Sequence, residues 1–257
     1  MLKRSLLALS LLALAAAPFA PAQEGALLRR LAWMGDDAHI VTDQPCSLTE
    51  TIDVTHPLAD GTTITRHTVE QKWRDAEGRF RKQEAEVEPG QTPVFHTAII
   101  VDPVANTLIT LHLDRGTAVV FHLPTQGPGS LKKFAGFDEG TPLARPGVQV
   151  KVEQLQGKYI AGVYAVGRRV TRVRPPGTIG NDRTVVSVSE RWVSPDLRIL
   201  LASSMTDPRA TQTRTVSQLE RSEPDPALFT VPPGFSVRDV PAPQPRSAAA
   251  GDAPPAP

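Results

Sequence analysis

The chain has 257 residues, with 28 Lys and Arg against 27 Asp and Glu, 40% hydrophobic residues, 25 Pro and one Cys. A charge balance this close to zero demands no polyanionic partner, so nucleic acid is not expected. A single cysteine, Cys46, excludes an intrachain disulfide, and the fold must stand on burial.

The first residues, MLKRSLLALSLLALAAAPFAPAQ, set Lys3 and Arg4 before an apolar run from Leu6 to Ala17 and then Ala20-Pro21-Ala22. This is the layout of a secretory signal ending before Gln23. The run is about a dozen residues, short of the roughly twenty that span a bilayer, so no transmembrane segment is expected after signal removal. Losing Lys3 and Arg4 leaves 26 Lys and Arg against 27 Asp and Glu, a formal charge of −1. The expected location is the periplasm or the medium. There, Cys46 reads as a small buried apolar side chain, with an intermolecular bridge or reactive thiol as the alternative.

In EGALLRRLAWM, Leu27, Leu28, Leu31 and Met34 lie near helical spacing and predict a short helix. Period two follows. In GTTITRHTVEQKWRD, Thr63, Thr65, His67, Val69, Gln71 and Trp73 alternate with Thr62, Ile64, Arg66, Thr68, Glu70 and Lys72, a strand with one wetter face. LADG before it and DAEG after it supply turn residues, so residues 47–86 are predicted as a three-stranded antiparallel meander. VFHTAIIVDPVANTLITLHL repeats the design, with Asp102, Pro103 and Asn106 in the turn, and GTAVVFHL adds a strand.

Residues 124–147 break the rhythm with Pro and Gly, leaving room for a short helix around Leu131 to Phe137. Then come VQVKVEQL, a long run from Tyr159 to Arg174, RTVVSVSERWV, LRILLASSM and TQTRTVSQLER, with SPDL as a hairpin corner. From Val240 the chain is Pro and Ala with almost no large apolar side chain, and a disordered tail is expected. The reading is mainly β: about eleven strands, mostly antiparallel because their connections are too short for crossover helices, with one or two short helices, in a sheet that must curl and whose apolar face a helix, a loop or a ligand must cover. One domain is assigned to residues 23–239, between a signal peptide (1–22) and the tail (240–257).

No G-x-S-x-G, H-E-x-x-H, C-x-x-C or G-x-x-x-x-G-K-[ST] motif is present, and no catalytic residue, metal ligand set or cofactor site is assigned. GPGSLK has the wrong spacing for a phosphate loop and reads as a turn. His96, His112 and His122 fall on successive strands and would need to converge to hold zinc. Parity argues against this, because His112 shares a face with Leu108 and Thr110 while His122 shares one with Val120. In GRRVTRVR, Arg168, Arg172 and Arg174 lie on one side of a strand with Val170, and Arg169 lies on the other. Such a stripe is either a contact for anionic phosphates or a solvated face. Glu190 and Trp192 share a face with Val186 and Val188. A general-acid role for Glu190 would need a second carboxylate, and the simpler reading pairs it with an Arg of a neighbouring strand.

Several segments in order, LADGTTITRHTVEQKWRDAEGRFRKQ, IIVDPVANTLITL, IAGVYAVGRRVTRVRPPGTIGND and SERWVSPDLRILLASSM through EPDPALFTVPPGF, resemble a group of exported bacterial proteins of unknown function over residues 46–237. That group is similar in strand pattern to the outer-membrane lipoprotein carrier superfamily. The resemblance implies a strongly curved antiparallel half-barrel of about eleven strands, with one or two short helices or loops covering its concave face, where the carriers hold acyl chains, and no ligand residue is carried over by position.

Two readings of function follow. The first is a non-catalytic binding protein with a groove for a lipid or the acyl chain of a lipoprotein, lined by Trp73, Phe95, Ile99, Val101, Leu111, Phe121 and Trp192. Its partner would be a lipid or an acylated protein. The second is an envelope interaction or sensor module with no small-molecule ligand. A hydrolase is least supported.

Overall fold

The computed structural model describes residues 40–88, 90–124 and 146–242. The expected signal, the two expected helices and most of the tail lie outside them. Twelve strands follow in order: β1 (Cys46–Pro57), β2 (Thr63–Arg74), β3 (Phe80–Glu86), β4 (Thr97–Asp102), β5 (Thr107–His112), β6 (Thr117–His122), β7 (Gln149–Ile160), β8 (Val163–Arg174), β9 (Val185–Ser194), β10 (Ile199–Asp207), β11 (Ala210–Glu220) and β12 (Ser236–Val240). A 3₁₀ turn at Pro226–Phe229 separates the last two.

The strands form one open sheet in the order β12-β6-β5-β4-β3-β2-β1-β11-β10-β9-β8-β7. It is the curved half-barrel architecture expected, built from two antiparallel meanders, β1 to β6 and β7 to β11, joined where β1 pairs with β11. Period-two side chains and short turns make meanders the natural product, since parallel neighbours would require crossovers. The exception is β12, which runs parallel to β6.

The turns form where the sequence supplies the right chemistry. Between β2 and β3, the Asp75 carboxylate accepts from the Arg79 amide at 2.8 Å, and Gly78 takes φ 80°. Between β4 and β5, Asp102 Oδ1 accepts from the amides of Val104 and Ala105, and Asn106 takes φ 54°. At the SPDL corner, Ser194 Oγ accepts from the Leu197 amide at 3.1 Å.

Two details differ from expectation. The run from Tyr159 to Arg174 is not one strand: Ala161 and Gly162, at φ 46° and 77°, make a two-residue hairpin turn that ends β7 at Ile160 and starts β8 at Val163. Among the described residues the strand count is twelve because SVRDV returns to pair with β6.

Both faces of the sheet carry buried apolar clusters. On one face, Phe80, Ile99, Val101, Leu108, Phe121 and Val240 pack together. On the other, Ala98, Ile100, Ile109 and Leu111 pack under Phe229, with Trp73 at the margin. A third cluster joins Cys46, Leu48, Val163, Ala165, Leu197, Ile199 and Leu201, with Trp192 packed against it. Cys46 is thus a buried small side chain. No helix among the described residues is long and apolar enough to cross a membrane.

Candidate functional site

Register decides which side chains share a face. Ile99 pairs with Lys82, Lys82 with Lys72, and Lys72 with Leu48. From Ile52, four residues along β1 and so on the same face as Leu48, the row continues to Arg214, Ser203, Arg191 and Arg168. Because side chains alternate, Arg172 and Arg174 of β8 project on this face too. One face therefore runs from an apolar field over β3 to β6, through a charged belt at the centre, to an arginine-bearing field over β8 and β9.

The belt consists of side chains that rarely leave water. Glu50, Glu70, Lys72 and Lys82 are all buried. Lys72 Nζ lies 2.5 Å from Glu50 Oε1 and 3.2 Å from Glu70 Oε2, and Lys82 Nζ lies 3.1 Å from Glu70 Oε1. Arg214 bonds Glu50 and lies 3.2 Å from Glu70 Oε2. The arrangement follows from cross-strand pairing, which sets Glu50 opposite Glu70 and Lys72 opposite Lys82. Like charges face each other directly, and the diagonal neighbours of opposite sign neutralise them. Burial opposes the charge of Glu70, yet Lys72, the Glu50 side chain, Lys82 and Arg214 together outweigh it and hold this carboxyl below the ordinary carboxylate range.

The opposite face has its own buried cation. Arg81 donates from Nη1 to the Leu228 carbonyl at 3.1 Å and from Nη2 to Gln83 Oε1 at 3.0 Å, and its guanidinium lies over the Trp73 ring, 5.6 Å from the centroid. Burial lowers its pKa.

The seven residues expected to line a groove are divided by this geometry. Ile99, Val101 and Phe121 meet on the face that carries the charged belt. Leu111 does not join them: Ile99 opposes Thr110, so Leu111 opposes Ala98 and packs with Phe229 on the other face, where Trp73 also lies. Trp192 belongs to the third cluster, its ring lying across Gly167 on β8 with Lys158 Nζ 4.0 Å from the ring centroid. Phe95 is half-buried just before β4. Of the arginines, Arg172 opposes Ser187, and Arg174 donates to Ser187 Oγ at 3.0 Å.

Glu190 pairs with Arg169 of the adjacent strand at 2.6 Å, the arrangement its sequence context suggested. The histidines do not converge. His112 opposes Thr117 at one end of the β5–β6 hairpin, while His122 opposes Thr107 at the other and lies 3.3 Å from Asp239. Among the described residues no three His, Cys, Asp or Glu side chains group as metal ligands. A solvent-open cleft of about 430 Å³ borders the end of β3, lined by Glu84, Glu86, Val87, Glu88, Val94 and His96 among others, with three carboxylates in its wall.

Sequence reading missed the charged belt. Its signal was present as carboxylates and ammonium groups at matching positions of successive meander strands, but only register shows that they meet.

No family model matches the chain, and no curated protein matches it in sequence. Among solved structures, the chain is similar to a LolA-superfamily protein of Nitrosomonas europaea, with 10% identity, 79% of this chain and 96% of that one covered, and a TM-score of 0.31. It is similar to LprF of Mycobacterium bovis, with 14% identity, 81% and 98% coverage and a TM-score of 0.27. It is also similar to a DUF1329-family protein of Desulfovibrio piger, with 9% identity, 81% and 96% coverage and a TM-score of 0.31. At such identities and scores these likenesses assign no function.

Proposed function

We propose that the protein is an exported, non-catalytic binding protein for an amphiphile, a lipid or the acyl chain of a lipoprotein, held along the face that carries both Phe121 and Arg168. One observation supports this reading. The apolar field of Ile99, Val101 and Phe121 and the cationic field of Arg168, Arg172 and Arg174 share one face of an open sheet. Along the curved sheet β4 and β8 lie seven interstrand steps apart, about 34 Å, with the charged belt between them. Ile99, Val101 and Phe121 are 3–4% exposed, so the apolar field would take the acyl chain by exchange for the side chains packed against it, and guanidinium groups would take a phosphate or carboxylate head through charge-assisted hydrogen bonds.

The test is titration of the purified protein with a fluorescent fatty acid and with a neutral monoacylglycerol of equal chain length. The reading expects saturable binding of both. It also expects Arg172→Glu with Arg174→Glu to weaken the fatty acid by about tenfold or more, from loss of charge-assisted bonds, while the neutral probe changes little. Failure of both probes to bind would reject it.

A further inference from the structure

One edge of the sheet is left open. Among the described residues β7 pairs only with β8, so its outer side presents a row of backbone donors and acceptors. The segment Gln149 to Leu155 is regular, each residue paired in sequence with Val173 to Gly167. It is also uncovered: Val152 is 45% exposed, and Gln149, Lys151 and Gln154 are exposed. Long exposed edge strands are usually blunted by Pro, a bulge or charge, and in β7 the bulge lies beyond this segment, between Leu155 and Lys158. The other edge, β12, is five residues long, carries Arg238 and Asp239 and is followed by Pro241.

We infer that β7 is the interface for a second copy of this chain, pairing antiparallel about a twofold axis at Val152. Charge complementarity argues for that occupant. On one face, Glu190 of β9, Arg169 of β8 and Glu153 of β7 stand in register, with signs alternating minus, plus, minus. The next strand position calls for a cation. An antiparallel copy centred on Val152 sets its Lys151 opposite Glu153, and the symmetry repeats the pair with the roles exchanged. Val152 then faces Val152 of the second copy, and Val150 faces its Gln154. Without the second copy, Lys151 Nζ lies 3.0 Å from Glu153 Oε1 of its own strand, with the Lys151 side chain exposed and that of Glu153 half-buried. The inference does not depend on the ligand reading above.

The test uses two variants of the processed full-length chain. Lys151→Glu leaves two carboxylates on each edge and Glu153→Lys leaves two ammonium groups, so each alone should dimerise at least about tenfold more weakly than the parent. Mixed together, with one isotope-labelled, they should form a heterodimer at parental strength in sedimentation velocity and native mass spectrometry. As a second measurement, Val152→Cys in a Cys46→Ser background should form a disulfide-linked dimer under mild oxidation, because position 152 faces itself across the axis. A parent chain that remains monomeric up to millimolar concentration overturns the inference. So does a dimer that ignores Lys151→Glu, or a pair of variants that fails to heterodimerise while position 152 fails to cross-link.

Discussion

Lys72 and Glu50, on neighbouring strands, meet at 2.5 Å inside the protein, Lys72 being 1% exposed and Glu50 0%. Taking either partner away strands a charge that water cannot reach. Lys72→Met is therefore expected to lower unfolding free energy by about 3–5 kcal/mol, measured by urea denaturation. The double variant Lys72→Met with Glu50→Gln should lose less than the two single losses added together, because each single removes the same partnership. Losses that simply add would mean the two groups do not form one network.

Acid should release the same network. The Glu70 carboxyl is held below its ordinary value of 4.5, so as pH falls the unfolded chain takes up that proton before the folded chain does. Its stabilisation is fully present above about pH 4.5 and is lost as pH falls toward the folded value. Stability should fall below pH 4.5 with a slope approaching about 1.4 kcal/mol per pH unit from this group. Glu70→Gln, though less stable at neutral pH, should show a shallower slope. Equal slopes would remove Glu70 from the account.

Gly167 is required by its neighbour. A Cβ there would come within 2.5 Å of Trp192 Cζ3, so Gly167→Ala must displace the indole or shift β8 against β9. The expected cost is about 1–3 kcal/mol, with a change in near-ultraviolet circular dichroism from Trp192. An unchanged spectrum with unchanged stability would contradict the contact.

Glu190 gives the contrasting case. Its salt bridge with Arg169 is partly solvated, with side chains 26% and 41% exposed, so Glu190→Gln should cost no more than about 1 kcal/mol in urea denaturation. A loss above about 3 kcal/mol would place Glu190 in the same class as Glu50.

These contrasts mark what could be read before the structure. Turns were legible because their residues carry local geometry: DAEG, DPVAN and SPDL each form the expected corner. That Glu190 would meet an Arg of a neighbouring strand was legible from its sign and its place on a strand, while the register of β8 against β9 decides that the partner is Arg169. Leu111 was misgrouped with Ile99 because parity within a strand says nothing about which face it shares with the next strand, and the register at Thr110 decides it. The buried belt was hidden for a related reason. Glu70 and Lys72 look like a wet strand face until pairing brings Glu50, Lys82 and Arg214 around them. β12 was hidden because its five residues are mostly polar and its parallel partner is distant in sequence.

The central claim is that one face of the sheet holds an amphiphile. The most direct test is native mass spectrometry, with organic extraction, of the protein produced with its own N-terminal segment in a Gram-negative host. The account predicts a species heavier than the processed chain by the mass of a lipid, recovered in the extract and depleted in the Arg172→Glu, Arg174→Glu variant. A bare mass that stays bare after addition of lipids and acylated peptides would contradict it.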